Sequence, residues 1–136
     1  MTQDDRTRLV AAAREAMTRS HSPYSRFRVG AALLGADGRV YTGTNVENAS
    51  YGLSICAERT AVFKAVSEGC RDFVAAAVVT DTDTPTPPCG ACRQVLQEFA
   101  PGLVIHLAGR GDAVETFRLA ELLPRPFDSF APGETP

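Results

Sequence analysis

Two short cysteine clusters, Cys56-Ala57-Glu58 and Pro88-Cys89-Gly90-Ala91-Cys92, restrict this chain more than any other feature. The residues after Cys56 and after Cys89 both read as helices, so each cysteine stands where a loop becomes a helix. Unpaired backbone N–H groups and the helix dipole favour negative charge there, which draws a thiol toward thiolate. Cys89 and Cys92 are three apart, so one helical turn brings both sulfurs to the same side. Any fold that lets Cys56 meet that pair offers three thiolates to a tetrahedral Zn²⁺. The fold must therefore hold two helix N-termini side by side.

The fourth cysteine, Cys70, cannot join them. If the segment from Cys56 is helical, Cys70 lies roughly 20 Å away at ~1.5 Å rise per residue. His21 and His106 stay open as a fourth ligand, although a histidine beside a strand more often makes an ordinary hydrogen bond. Three protein ligands and one open position mark a catalytic rather than a structural zinc. Glu58 fits that picture. Residues two apart on a helix do not face each other, so Glu58 is poorly placed to share the metal with Cys56. It can stand beside the open position and exchange protons with water, although an acid in a first helical turn can also be there simply to favour the N-terminus. Three thiolates leave the site net negative, and a nearby cation would offset that; Arg59 is the natural one, with Arg93 second.

The rest of the chain supplies a scaffold of alternating elements. Leu9, Ala12, Ala13, Ala16 and Met17 fall on one stripe of a helix over 4–18, and Thr2 is spaced from Asp5 as a capping pair. Strands are expected over 27–34 and 39–44, joined by a tight Asp37-Gly38 turn. A polar loop over 45–54 precedes a helix over 56–68, which Gly69 is placed to end. Phe73 to Thr80 is a nearly continuous apolar run, as for a strand buried on both faces. After a proline-marked loop come a helix over 90–99, strands over 103–107 and 113–118, and a short helix over 119–123. The pattern is an α/β layered domain with a mixed five-stranded sheet, spanning 1–136 as one domain. The proline-rich tail from about 124 is expected on the surface or against a partner.

Charge and hydropathy narrow the function classes. A net charge of −2 argues against a general nucleic-acid binder, which needs surplus Lys and Arg to replace counterions. No apolar run approaches the ~18 residues of a membrane span. The acidic start, Met1-Thr2-Gln3-Asp4-Asp5, does not read as a signal peptide, so a cytoplasmic location with reduced thiols is expected.

At the cysteine motifs the chain resembles the cytidine deaminase family in its small homotetrameric form. The similarity runs from about Ser22 to Phe127. It takes in Pro23-Tyr24-Ser25-x-Phe27-x-Val29-Gly30, Asn45-Val46-Glu47-Asn48-Ala49-Ser50, Cys56-Ala57-Glu58-Arg59-Thr60-Ala61, Pro88-Cys89-Gly90-Ala91-Cys92-Arg93-Gln94 and Glu121-Leu122-Leu123-Pro124. The resemblance implies a three-layer α/β/α domain and one Zn²⁺ per chain on Cys56, Cys89 and Cys92. It also implies hydrolysis of cytidine and deoxycytidine to uridine and deoxyuridine plus ammonia, with Glu58 as the proton carrier. Asn45 and Glu47 resemble the pair that binds the ribose, and Phe27 the ring against the pyrimidine. The backbone at Ala57 would help hold the base. Phe127 is similar to the aromatic that closes a neighbouring subunit's site, within a homotetramer. The tail after Phe127 departs from the family ending, which leaves Phe127 and Phe130 both open for that role, with Phe127 favoured by its place after Leu122-Leu123-Pro124.

Three competing readings differ in what they require. A blasticidin-type aminonucleoside deaminase would lack the Asn45-x-Glu47-Asn48 loop. A polynucleotide-editing deaminase would need a basic groove. A non-catalytic zinc module would have no use for Glu58 and would want a fourth ligand.

Overall fold

The computed structural model describes residues 3–128, so the Thr2 capping pair and Phe130 lie outside the described residues. Five strands form one sheet in the order β2-β1-β3-β4-β5. They are β1 (Val29–Gly35), β2 (Val40–Thr44), β3 (Phe73–Thr80), β4 (Val104–Ala108) and β5 (Val114–Arg118). β1 pairs antiparallel with β2 and β3, β3 pairs parallel with β4, and β4 pairs antiparallel with β5. The sheet is thus mixed, as the sequence pattern predicts.

Alternation along the central strands builds two cores. Ala32, Leu34, Ala75, Ala77 and Val79 face one way and pack on Leu9, Ala13 and Met17 of α1 (Gln3–Met17). Leu33, Val78, Ile105 and Leu107 face the other way, toward α2 (Ala57–Ser67) and α3 (Gly90–Phe99). Helices cover both faces, which makes three α/β/α layers and explains why β3 is apolar along nearly its whole length. Burying a leucine or valine stabilises by about 1.5–3 kcal/mol, so these two faces carry most of the driving force.

Small residues set the layer spacing where it matters for function. On β2, a Cβ placed at Gly43 would lie 2.5 Å from the Ala61 nitrogen and 2.6 Å from the Ala57 oxygen. Only glycine lets the first turns of α2 lie this close to the sheet. At the far end of α2, Gly69 takes φ 98° and ends the helix as expected.

Element boundaries differ from the sequence expectations by one or two residues. β4 starts at Val104 rather than Leu103, because the Leu103 N–H closes a turn onto Ala100 O at 3.1 Å. The short last helix, α4, spans Leu119–Leu122. Among the described residues no helix is long and apolar enough to cross a membrane.

Candidate metal and nucleoside site

Cys56 and Cys89 are the N-cap residues of α2 and α3, and Cys92 lies in the first turn of α3. Crossing the sheet on the same face, the two helices bring these ends together. Cys56 Sγ is 3.8 Å from Cys89 Sγ, and Cys89 Sγ is 3.3 Å from Cys92 Sγ. All three sulfurs lie within 4.8 Å of one another. A tetrahedral ion with Zn–S bonds of about 2.3 Å separates its sulfurs by about 3.8 Å, so the cluster has the right size for zinc.

The protonation chemistry of the donor set leads to the same ion. The Cys56 thiol is lowered to about 5, chiefly by a hydrogen bond from Cys92 and further by Arg59 and Cys89, against the effect of burial. Cys92 is pushed the opposite way, by that same bond to Cys56, by burial and by the charge of Glu58. Cys56 and Cys92 thus compete for one proton and cannot both ionise. A divalent cation between them removes that conflict. Arg59 Nη2 donates to Cys56 Sγ at 3.3 Å, while its buried Nε has no hydrogen-bond partner. The guanidinium is therefore committed to the sulfur cluster.

The other ligand candidates fall away. His106 sits opposite Ala77 in the sheet, on the α1 face, with Nδ1 2.9 Å from Thr116 Oγ1. His21 is exposed and bridges to Val46. Cys70 is buried beside Gly35 at the other end of α2, with its thiol 3.5 Å from Asp72 O. Arg93 is a correction to its assignment as second cation. Its Nε donates to Pro88 O at 2.8 Å and its Nη1 to Leu122 O at 2.7 Å, so it ties the Cys89 loop to α4 instead.

Glu58 is 6% exposed, on the inner side of α2. Burial pushes its carboxyl up to about 7, and the negative charge of Cys56 adds to the rise; its own backbone N–H and the Cys92 thiol pull the other way. A carboxyl poised near neutrality beside the sulfur cluster can both take and give a proton.

Next to the sulfurs opens a cavity of about 460 Å³, lined by Phe27, Asn45, Glu47, Ala57 and Glu58 among others. That volume accommodates a small, drug-sized ligand. The polar loop over 45–54 is pinned by main-chain bonds: Val46 and Ile55 exchange both N–H···O pairs, and Glu47 N–H reaches His21 O at 2.8 Å. Asn45 Oδ1 accepts from Val29 N–H at 3.0 Å and from Ser20 Oγ, while Nδ2 donates to Phe27 O at 2.6 Å. One amide hydrogen is left for a ligand. Glu47 Oε1 accepts Tyr24 and Ser25 N–H, each at 3.0 Å, and Oε2 accepts Ser25 Oγ. Those bonds, the Ser25 hydroxyl foremost, hold Glu47 below the usual carboxylate range, so it is an ionised acceptor.

Phe27, Asn45, Glu47, Cys56, Ala57, Glu58 and Cys89 thus line one cavity, and Cys92 adjoins it through the sulfur cluster. Phe127 does not line this cavity; the residue is 63% exposed and its carbonyl accepts Gln94 Nε2 at 2.5 Å. The wall also contains Thr80, Thr86 and Pro87, which the sequence reading missed. Thr80 ends a strand that runs parallel to its neighbour, where α/β sheets commonly bind ligands, and that signal was available. A larger groove of about 630 Å³ lies along α1 between Arg6 and Val114, away from every cysteine.

Comparison with known proteins agrees with this geometry. Residues 3–108 match the family model for the cytidine and deoxycytidylate deaminase zinc-binding region. Over 124 residues the chain is 54% identical to a cytidine deaminase of Halalkalibacterium halodurans, covering 90% of this chain and 94% of that one. The crystal structure of cytidine deaminase from Burkholderia pseudomallei superimposes with a TM-score of 0.86 at 48% identity, over 93% of this chain and 100% of that chain. Cytidine deaminase from Mycobacterium tuberculosis gives a TM-score of 0.81 at 44% identity, over 92% of this chain and 98% of that chain.

Proposed function

The chain belongs to the cytidine and deoxycytidylate deaminase family, and we propose that its zinc-dependent hydrolysis of cytidine and deoxycytidine is carried by Glu58 within a Cys56, Cys89 and Cys92 metal site. The observation that carries this reading is the buried Glu58, poised near neutrality, beside three convergent sulfurs at two helix N-termini.

Zinc, when bound by the three cysteines, supplies Lewis-acid activation of water at neutral pH. Glu58 accepts a proton from that water and delivers it to N3 of the pyrimidine, which makes C4 electrophilic. After the resulting hydroxide adds at C4, Glu58 takes the remaining proton from the new C4 hydroxyl and passes it to the amino group, which leaves as ammonia as the C4=O bond forms. One carboxylate serves as base and then acid because each delivery returns it to the ionised form. Arg59 neutralises part of the thiolate charge through its bond to Cys56. Phe27 presents a ring to the base, and the Ala57 backbone at the helix start holds its polar edge. The remaining Asn45 amide hydrogen donates to a ribose hydroxyl, and the ionised Glu47 accepts from one.

The active species we propose is a homotetramer in the cytoplasm, with Phe127 of one subunit closing another subunit's cavity. Tyr51 on the cavity wall is 75% exposed, Tyr24 beside it is 49% exposed, and a second copy would bury them. In a closed symmetric assembly every site receives the same borrowed wall. The test is complementation. Chains carrying Glu58→Gln with an intact Phe127 are unfolded, mixed with Phe127→Ala chains and reassembled. Hybrids should turn over cytidine faster than the two parents combined. No gain, or an active species that sediments as a monomer, refutes the shared site.

A further inference from the structure

The loop that delivers Cys89 begins at Asp81, directly after the cavity-lining Thr80. Asp81 N–H donates to Arg28 O at 3.1 Å. Its carboxylate lies between two guanidinium groups. Oδ2 accepts Arg28 Nε and lies 3.2 Å from Arg28 Nη2, while Oδ1 accepts Arg110 Nε at 3.1 Å. Arg110 continues to Asp83 Oδ1 at 2.9 Å, and its backbone N–H donates to Thr82 O at 2.7 Å. Thr82 Oγ1 is 2.7 Å from Thr80 Oγ1 and donates to Thr84 O at 2.6 Å. The first half of the loop is thereby held by β1's entry, by the exit of β4 and by β3 itself. Pro85, Pro87 and Pro88 stiffen the second half, so fixing residues 81–84 also fixes Thr86 and Pro87 on the cavity wall.

Arg28 leads to another part of the cavity wall, at Phe27. It follows Phe27, whose neighbour Arg26 has φ 59°, a left-handed conformation rarely adopted outside glycine. Such a backbone needs surrounding contacts to hold it. Asp81 supplies two of them to Arg28, two residues further on, through its N–H and through its carboxylate. Removing the Asp81 charge would leave Arg28 and Arg110 as like charges without the group between them. The pair of arginines, Arg110 first, holds Asp81 below the usual carboxylate range.

We propose that Asp81 is a positioning residue for the deamination: by bridging Arg28 and Arg110 it sets the distance between the Phe27 wall and the Thr86–Pro87 wall, and so governs nucleoside affinity. This rests on the assignment of the cavity as the nucleoside site. Ion pairs this exposed contribute little to global stability, so the effect belongs in binding rather than in folding.

The test compares wild type, Asp81→Asn, Arg28→Gln, the double variant and Phe27→Ala as zinc-loaded proteins, reading KM and kcat for cytidine alongside the thermal midpoint. Asp81→Asn should raise KM about 10-fold, with kcat within about twofold, since the displaced walls hold the nucleoside equally in the ground and transition states while Glu58 and the sulfurs keep their places. The double variant should be no worse than Asp81→Asn alone, because both changes break one bridge. Between about 0.05 and 0.5 M salt the wild-type KM should climb as the bridge is screened, while that of Asp81→Asn stays flat. A KM within twofold of wild type in folded Asp81→Asn, a multiplicative double variant, or a loss confined to kcat or to thermal stability overturns the proposal. Should Asp81→Asn not fold, folded Arg28→Gln carries the same expectation and the same refutation. Phe27→Ala separates the two levels: an unchanged KM there means the cavity assignment has failed, not the bridge.

Discussion

Gly43→Ala tests whether helix placement, rather than the identity of the chemical groups alone, sets activity. The added Cβ would sit 2.5 Å from the Ala61 nitrogen and 2.6 Å from the Ala57 oxygen, both main-chain atoms of α2 that cannot rotate aside. Ordinary contact begins near 3.4 Å, so α2 must retreat from the sheet by about 1 Å. Overpacking of this kind costs about 1–3 kcal/mol. In a domain of this size that lowers the thermal midpoint by several degrees. The functional loss should be larger than the stability loss, because the displaced turn carries Ala57 and Glu58 and is capped by Cys56. Cys89 and Cys92 belong to α3 and do not follow. A misplacement of about 1 Å between reacting groups can lower turnover ~10²-fold. Steady-state absorbance assays on cytidine, zinc content and thermal unfolding measure the three effects. Gly102→Ala, where a Cβ meets nothing within 4 Å, is the matched control and should behave as wild type. If Gly43→Ala melts and turns over as wild type does, the close approach of β2 to α2 does not hold the site.

Other outcomes follow from the same geometry. Glu58→Gln should keep fold and zinc while turnover falls at least ~10²-fold; near-normal turnover in zinc-loaded protein would remove Glu58 from proton transfer. Cys56→Ala, Cys89→Ala and Cys92→Ala should each lose the metal, whereas Cys70→Ala should retain it, as atomic absorption can show. Burial and then the charge of Arg6 hold the His106 pKa below its ordinary 6.5, so the unfolded chain takes up a proton first as pH falls. The His106 contribution to stability, read as the difference between wild type and His106→Gln, should therefore be level above pH 6.5 and decline below it, by at most about 1.4 kcal/mol per pH unit. An unchanged profile in that variant would assign the acid sensitivity elsewhere.

The sequence exposed the metal site because its constraints are local. A cysteine at each helix start, a three-residue spacing and an acid in the first turn can be read from short stretches, and the structure brings those same residues together. Strand and helix order was legible for a similar reason, since periods of two and of 3.6 residues leave marks in any short window. What escaped was long-range. Arg93 looked like a cation for the sulfurs because it follows Cys92, yet its guanidinium turns to Pro88 O and Leu122 O, a destination decided by where α4 returns to the sheet. Asp81 reads as an ordinary loop acid until Arg28, 53 residues earlier, and Arg110, 29 residues later, close on it. Asn45 shows both limits at once. The family resemblance points it toward the sugar, while its bonds to Val29, Phe27 and Ser20 show it fastening β1's entry to the loop. A substitution there disturbs the Phe27 wall as well as any sugar contact. Loss of activity in an Asn45 variant would therefore identify a binding residue only if the Phe27 wall were shown to be undisplaced.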